Sequence, residues 1–178
     1  MVHENRNLAG RLIGLVETHA DQLTLTTVAK LRTNARTPSY GNLSPDELYA
    51  RVYDVYHDFG RWLFEKAESA VQERYNKVGE LRAKQGVPLP ELLWAMVLTK
   101  NHLRSYLAAW APADSAVELY RQREFEQLIA QFFDRAMCYA AEGYERVRDE
   151  TNRTSGAEST DFEFPQGEHR RGPGGWIL

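Results

Sequence analysis

A charged helical pattern ends at Gln85, and the five residues after it, Gly86-Val87-Pro88-Leu89-Pro90, constrain this fold more than any other stretch. Gly86 suits the position just past a helix, where the backbone turns left-handed and only glycine does so without a Cβ penalty. Pro88 and Pro90 cannot extend the helix before them, yet both are tolerated in a first turn. Glu91 favours the positive end of the helix that follows. The stretch predicts a tight link between two long helices. The second runs from about Pro88 to Trp110 and is the expected centre of the domain.

That helix has two faces. Leu89, Leu92, Met96, Thr99, Leu103, Tyr106, Leu107 and Trp110 recur at helical spacing and predict a core stripe. Trp94, Leu98, Asn101 and Ser105 lie on the other side. A helix apolar on more than one side is usually buried in its domain. Two covers for Trp94 and Leu98 stay open: another helix of the same chain, or a second copy of it. These four residues form the candidate interface.

The rest of the chain reads as helices joined by short breaks. Leu8, Leu12, Leu15 and Val16 mark a first helix, weakened by Gly10 and Gly14. Asp21 is a candidate cap for a second, carrying Leu23, Val28 and Leu31. The Thr-rich run Leu23 to Thr27 leaves a strand as the lesser alternative. Asn34 to Asn42, with Pro38 and Gly41, reads as a loop. Ser44-Pro45-Asp46-Glu47 is the clearest helix start, with Ser44 as N-cap, Pro45 at the first position and Glu47 completing a capping box. Leu48, Val52, Val55, Phe59, Trp62 and Leu63 then share a face as far as about Lys66.

Val71, Tyr75, Val78 and Leu81 set the face of the next helical stretch, Ser69 to Gln85, either a continuation or a new helix after a bend. Ala111 to Asp114 breaks the pattern. A last long helix, capped by Asp114 or Ser115, runs to about Arg148 with Phe125, Ile129, Phe132, Ala136, Tyr139, Ala140, Gly143 and Val147 on one face. The small residues Ala136, Ala140 and Gly143 admit a close neighbour. From Thr151 the helical repeat is lost. The expected organisation is a helical domain over 1–150 and a flexible tail over 151–178.

A chain of 178 residues suits one domain. Its composition, 43% hydrophobic and 26% charged, is that of an ordinary soluble protein. A net charge of −3 offers no nucleic-acid surface. No run approaches the roughly 20 apolar residues that span a bilayer, and Met1 to Arg11 lacks the apolar centre of a signal peptide. With Cys138 as the only cysteine, an internal disulfide is ruled out. A cytoplasmic protein is the simplest reading.

Leu81-Arg-Ala-Lys-Gln-Gly-Val-Pro-Leu-Pro-Glu-Leu-Leu-Trp94, following Tyr40 and the Ser44 to Leu48 helix start, resembles the hallmark of the N-terminal sensory domain of RsbT co-antagonist (RsbR-type) proteins. The resemblance covers about residues 8–150. It implies an all-α, globin-like bundle of five or six helices without haem, often dimeric. It also implies a signal-input role in stressosome proteins, kinases and transcription regulators. Members of the stressosome carry a C-terminal STAS domain and kinases a catalytic region. These 178 residues hold neither; if the chain is complete, the expected output is another protein.

The residues offer little independent chemistry. His3, His19, His57, His102 and His169 include no pair three or four apart, as a helical metal site needs. His102, at the edge of the central stripe, is the one candidate axial ligand should haem bind, but a lone helical His is more often a boundary residue. Phosphate loops, serine-hydrolase elbows and zinc-protease motifs are absent. Cys138 is expected to be packed in its helix. The charges from Glu65 to Arg82 read as a solvated face. The expectation is a non-enzymatic regulatory input domain without cofactor, acting as a homodimer or on a protein partner. The alternatives are a haem, tetrapyrrole or other small-ligand carrier, and a structural helical module.

Overall fold

The computed structural model describes residues 2–110 and 115–158, with side chains from Leu8 to Thr154 outside the break. Every regular element among them is helical: α1 (Val2–Thr18), α2 (Ala20–Thr33), a 3-10 turn (Pro38–Asn42), α3 (Pro45–His57), α4 (Phe59–Phe64), α5 (Glu68–Lys84), α6 (Leu89–Trp110) and α7 (Ala116–Glu158). The all-α class is as expected and compatible with a globin-like bundle. Seven α-helices stand where five or six were expected, because the pattern after Ser44 is broken twice. The chain bends at Asp58 and again at 65–67, so α4 is a short separate helix and α5 begins afresh at Glu68. No strand forms at Leu23 to Thr27; that run lies inside α2, with Thr24 and Thr27 buried.

The link before α6 forms as its residues dictate. Gly86 has φ +70°. The Gly86 amide donates to the Ala83 carbonyl and the Val87 amide to that of Arg82, both at 3.0 Å. This pairing closes the end of α5 as a Schellman motif. Val87 is then buried and fixes the turn against the core. At the start of α3 the Glu47 amide donates to Ser44 Oγ. Glu47's side chain, however, does not complete the expected box. It turns inward to Arg82.

The main core gathers Leu12, Val16, Leu23, Tyr56, Phe59, Leu92, Leu103, Leu107, Ile129 and Phe132 from six helices. A smaller one, around Val28, Leu31, Tyr40, Leu48, Val87 and Ala95, closes the other side of α6. On α6 the stripe Leu92, Met96, Leu103 and Leu107 is buried, but Trp110 is 61% exposed, lying beyond the core with its ring stacked on His19.

α7 is one 43-residue helix laid along α5 in the most extensive helix pairing of the fold. Two glycines allow it. A Cβ on Gly79 would sit 1.9 Å from the Ala140 carbonyl oxygen, and one on Gly143 would sit 2.2 Å from that of Asn76. Backbone therefore touches backbone. α7 crosses residue 150, the expected domain boundary, and continues to Glu158. The remainder of the expected tail, from 159, lies outside the described residues.

Candidate functional site

The most unusual chemistry of the fold lies on the inner side of α5. Val71, Tyr75, Val78 and Arg82 follow one another at spacings of four, three and four, so Arg82 extends an apolar stripe. Its side chain is only 3% exposed. The expected solvated face thus delivers a charge into the interior. The signal was present in the spacing, but Leu81 was read as the end of the stripe in its place.

A buried guanidinium requires acceptors. Arg82 Nη1 donates to Glu47 Oε1 at 2.7 Å and also to Gln85 Oε1. Gln85 Nε2 donates to Glu47 Oε2 at 2.8 Å, and Arg51 Nε to Glu47 Oε1 at 3.2 Å. Glu47 therefore serves two arginines and an amide, which explains why it leaves the N-terminus of its own helix. Burial pushes its carboxyl up, but the hydrogen bonds from Arg82 and Gln85 outweigh that and hold it below the usual carboxylate range. Next to this group, Arg74 is bonded through Nη1 to the Asp54 carboxylate and donates from Nη2 to the Arg51 carbonyl at 3.1 Å. Its guanidinium also lies over the Trp62 ring, 4.6 Å from the centroid.

These arginines border a hollow of about 90 Å³. Its walls come from α2, the 3-10 turn, α3, α5, α6 and α7; Leu48, Val52, Leu92, Met96 and Phe133 make it largely apolar. Tyr40 and Tyr75 add buried rings, and burial pushes the Tyr75 hydroxyl up to about 12, so it stays neutral. The Nε atoms of both Arg74 and Arg82 are buried without a hydrogen-bond partner. Leaving such a donor unmet costs about 1–3 kcal/mol, more for a charged group. Arg51 and Arg74 line not only the hollow but also an outer groove between α3 and α5, with Glu47, Asp54, Glu73 and Lys77. They stand between interior and surface.

The face anticipated from sequence lies elsewhere. Trp94, Asn101 and Ser105 are exposed along the outer side of α6. Leu98 instead packs against the smaller core. One ring face of Trp94 is covered by this chain's own Arg36, whose guanidinium carbon is 4.0 Å from the ring centroid. The four residues share a helix side, and only Trp94 offers exposed apolar surface there.

His102 lines neither that hollow nor the outer groove. Its Nε2 is 2.9 Å from Thr26 Oγ1 and its Nδ1 is 2.7 Å from Lys30 Nζ. Both ring nitrogens are thus engaged within the chain, an arrangement unlike that of an open axial ligand. Burial, and then the charge of Lys30, hold its pKa below the ordinary value. Cys138 is exposed rather than packed, since Phe132, Ala136 and Ala140 fix the buried side of α7 and residue 138 falls away from it. Among the described residues no group of three His, Cys, Asp or Glu side chains is placed to hold a metal.

The described residues thus form an all-helical bundle with a polar hub, a small hollow and one long helix. Residues 12–158 match the family described as the RsbT co-antagonist protein rsbRD N-terminal domain, and the chain belongs to that family. It is a regulatory and sensory family of stressosome signalling. Neither curated proteins nor solved structures provide a match.

Proposed function

We propose that this chain is a non-catalytic sensory input domain that acts through protein–protein contacts in stress-response signalling. α7 carries the reading. Its middle is locked to α5 by the Gly79 and Gly143 contacts, while Arg148 to Thr154 are exposed. A rigid helix whose middle is packed in a bundle and whose end leaves it passes small shifts in packing to whatever binds that end. Residues 1–150 then form the sensing domain, and 151–178 the output-facing segment. No helix among the described residues is long and apolar enough to cross a membrane, and we place the work of the chain in the cytoplasm.

The chain acts as a homodimer in this reading, with Trp94, Leu98, Asn101 and Ser105 at the contact. A two-fold interface brings a patch against its own copy, and exposed Trp is a common anchor of such contacts. Sedimentation of the full chain and of Trp94→Glu, with helicity checked by circular dichroism, tests this. A folded monomeric variant supports the contact. A variant still dimeric removes it and directs attention to the open apolar groove lined by Ile13, Phe64, Phe125 and Leu128. For the output, an RsbT-type protein immobilised on resin should retain the wild-type chain. An Asp149→Arg, Glu150→Arg chain should bind more weakly. No retention of the wild type would count against an RsbT-type partner.

A further inference from the structure

Three guanidiniums line the hollow between α3, α5 and α6, and two carboxylates serve them. Arg51 and Arg82 share Glu47, and Arg74 takes Asp54. Guanidiniums thus exceed carboxylates by one, which favours an anion; Arg51 is partly in solvent, so the unmet demand lies inside, at Arg82, which is almost fully buried and whose Nε has no acceptor. A water can accept from Nε, but it carries no charge and leaves the greater part of the wall, which is Leu, Val, Met and Phe, without an apolar partner. A phosphate would bring more oxygens than this wall can serve.

Size narrows the choice. About 90 Å³ is well above the roughly 10–15 Å³ that one water needs and below the roughly 150 Å³ apolar cavity that holds benzene. We propose that the hollow binds a short-chain monocarboxylate, its carboxylate on Arg82 Nε and its alkyl chain against Leu92 and Met96. The entrance is the outer groove, where Arg74 and Arg51 stand at the mouth. Entry requires that Arg74 leave Asp54, an ion pair already in contact with solvent, and release the Arg51 carbonyl. Arg74 is thus the gate and Arg82 the receptor. A bound acid would alter the packing of α5, the helix locked to α7. It would be the signal of the input domain proposed above, and its biological meaning rests on that reading.

Binding is measured on the full chain alone, so a negative result overturns the pocket and leaves the input-domain reading standing. Sodium butanoate is titrated by calorimetry and thermal melting against 1-butanol and against sodium chloride at equal ionic strength. Butanoate should bind once per chain and raise the melting temperature saturably; butanol and chloride should not. Ala95→Leu places new side chain in the hollow without touching an arginine and should weaken binding about tenfold or more. Arg82→Lys keeps the charge but withdraws Nε, and should weaken it similarly. Equal stabilisation by butanol would show that no guanidinium reads the ligand. An absence of saturable binding at millimolar butanoate would overturn the site, as would unchanged affinity in a folded Ala95→Leu chain.

Discussion

Two neighbouring faces of α5 are packed by opposite rules. Toward α7 the helices meet backbone to backbone, with no room for even a methyl group at Gly79. Toward α3 and α6 the side chains fall short of filling the space, and charged donors are left without partners. Protein interiors are normally close-packed throughout, and unmet buried donors are rare. A helix tight on one face and slack on the next can register a change in the hollow and pass it on, because the seam with α7 has no slack to absorb it.

The largest expected effect lies in the seam. Overpacking a core typically costs about 1–3 kcal/mol, occasionally more. Rotamer change cannot relieve a Cβ driven into a carbonyl oxygen. Gly79→Ala and Gly143→Ala should each cost about 3 kcal/mol or more, at or above the top of that range. By contrast, a Cβ at Gly10 or Gly14 meets nothing within 4 Å. Alanine there should stabilise by up to about 1 kcal/mol. Urea melts of the four variants decide the matter, and a Gly143→Ala chain as stable as wild type would break the contrast.

The hollow should respond less. Truncating one partner of a buried ion pair typically costs about 3–5 kcal/mol. Glu47 is partly exposed and keeps Arg51 and Gln85, so Arg82→Met should cost less, about 1–2 kcal/mol. The cost should depend on pH. Glu47's folded pKa is depressed, so its contribution is present above the unfolded value of 4.5 and lost as pH falls through the folded one. Wild type and Arg82→Met should therefore converge in stability as the medium is acidified below that range. Parallel curves down to the lowest pH that preserves the fold would mean that Arg82 does not act through Glu47.

Comparable in size is the effect at the turn that joins the two regions. Gly86 holds a positive φ at the end of α5 with open space around it. The penalty for a side chain is then purely conformational, about 1–2 kcal/mol. Gly86→Val should lose that much, and Lys84→Val, an exposed position on the same last turn, about half a kcal/mol or less. Equal melting temperatures would remove the capping account.

What the sequence disclosed, and what it hid, follows the same division. The turn at Gly86 was legible because it depends on local backbone chemistry. The small residues Ala136, Ala140 and Gly143 announced a close neighbour because closeness admits few residue types. Arg82 was hidden because a charge among charges on a helical pattern reads as solvated until its three-dimensional partners are known. Glu47 was hidden for the converse reason: the local capping grammar offered it a role that a distant arginine overrode. The breaks around α4 carry neither proline nor a glycine cap, and no pattern marked them. The extra turns of α7 were missed because Thr151 and Asn152 weaken a helix only slightly.

His102 gives the smallest effect and the sharpest sign. Lys30 Nζ is a donor only, so at 2.7 Å the Nδ1 it meets must be the acceptor, and Nε2 carries the proton toward Thr26. The Thr26 hydroxyl can accept it, since its own hydrogen serves the Gln22 carbonyl at 2.9 Å. Protonating Nδ1 would set two cationic donors against each other, adding to the effect of burial in lowering the pKa. In the unfolded chain the group returns to about 6.5. The unfolded state therefore binds more protons between the folded value and 6.5, and this histidine's contribution to stability falls as pH drops through that window. Lys30→Met removes the charge but leaves the burial. The His102 resonance, followed by NMR through a pH titration, should then shift part of the way back toward 6.5. If Lys30→Met leaves the midpoint unmoved, the contact with Lys30 has no electrostatic weight, and burial alone sets the proton affinity of this histidine.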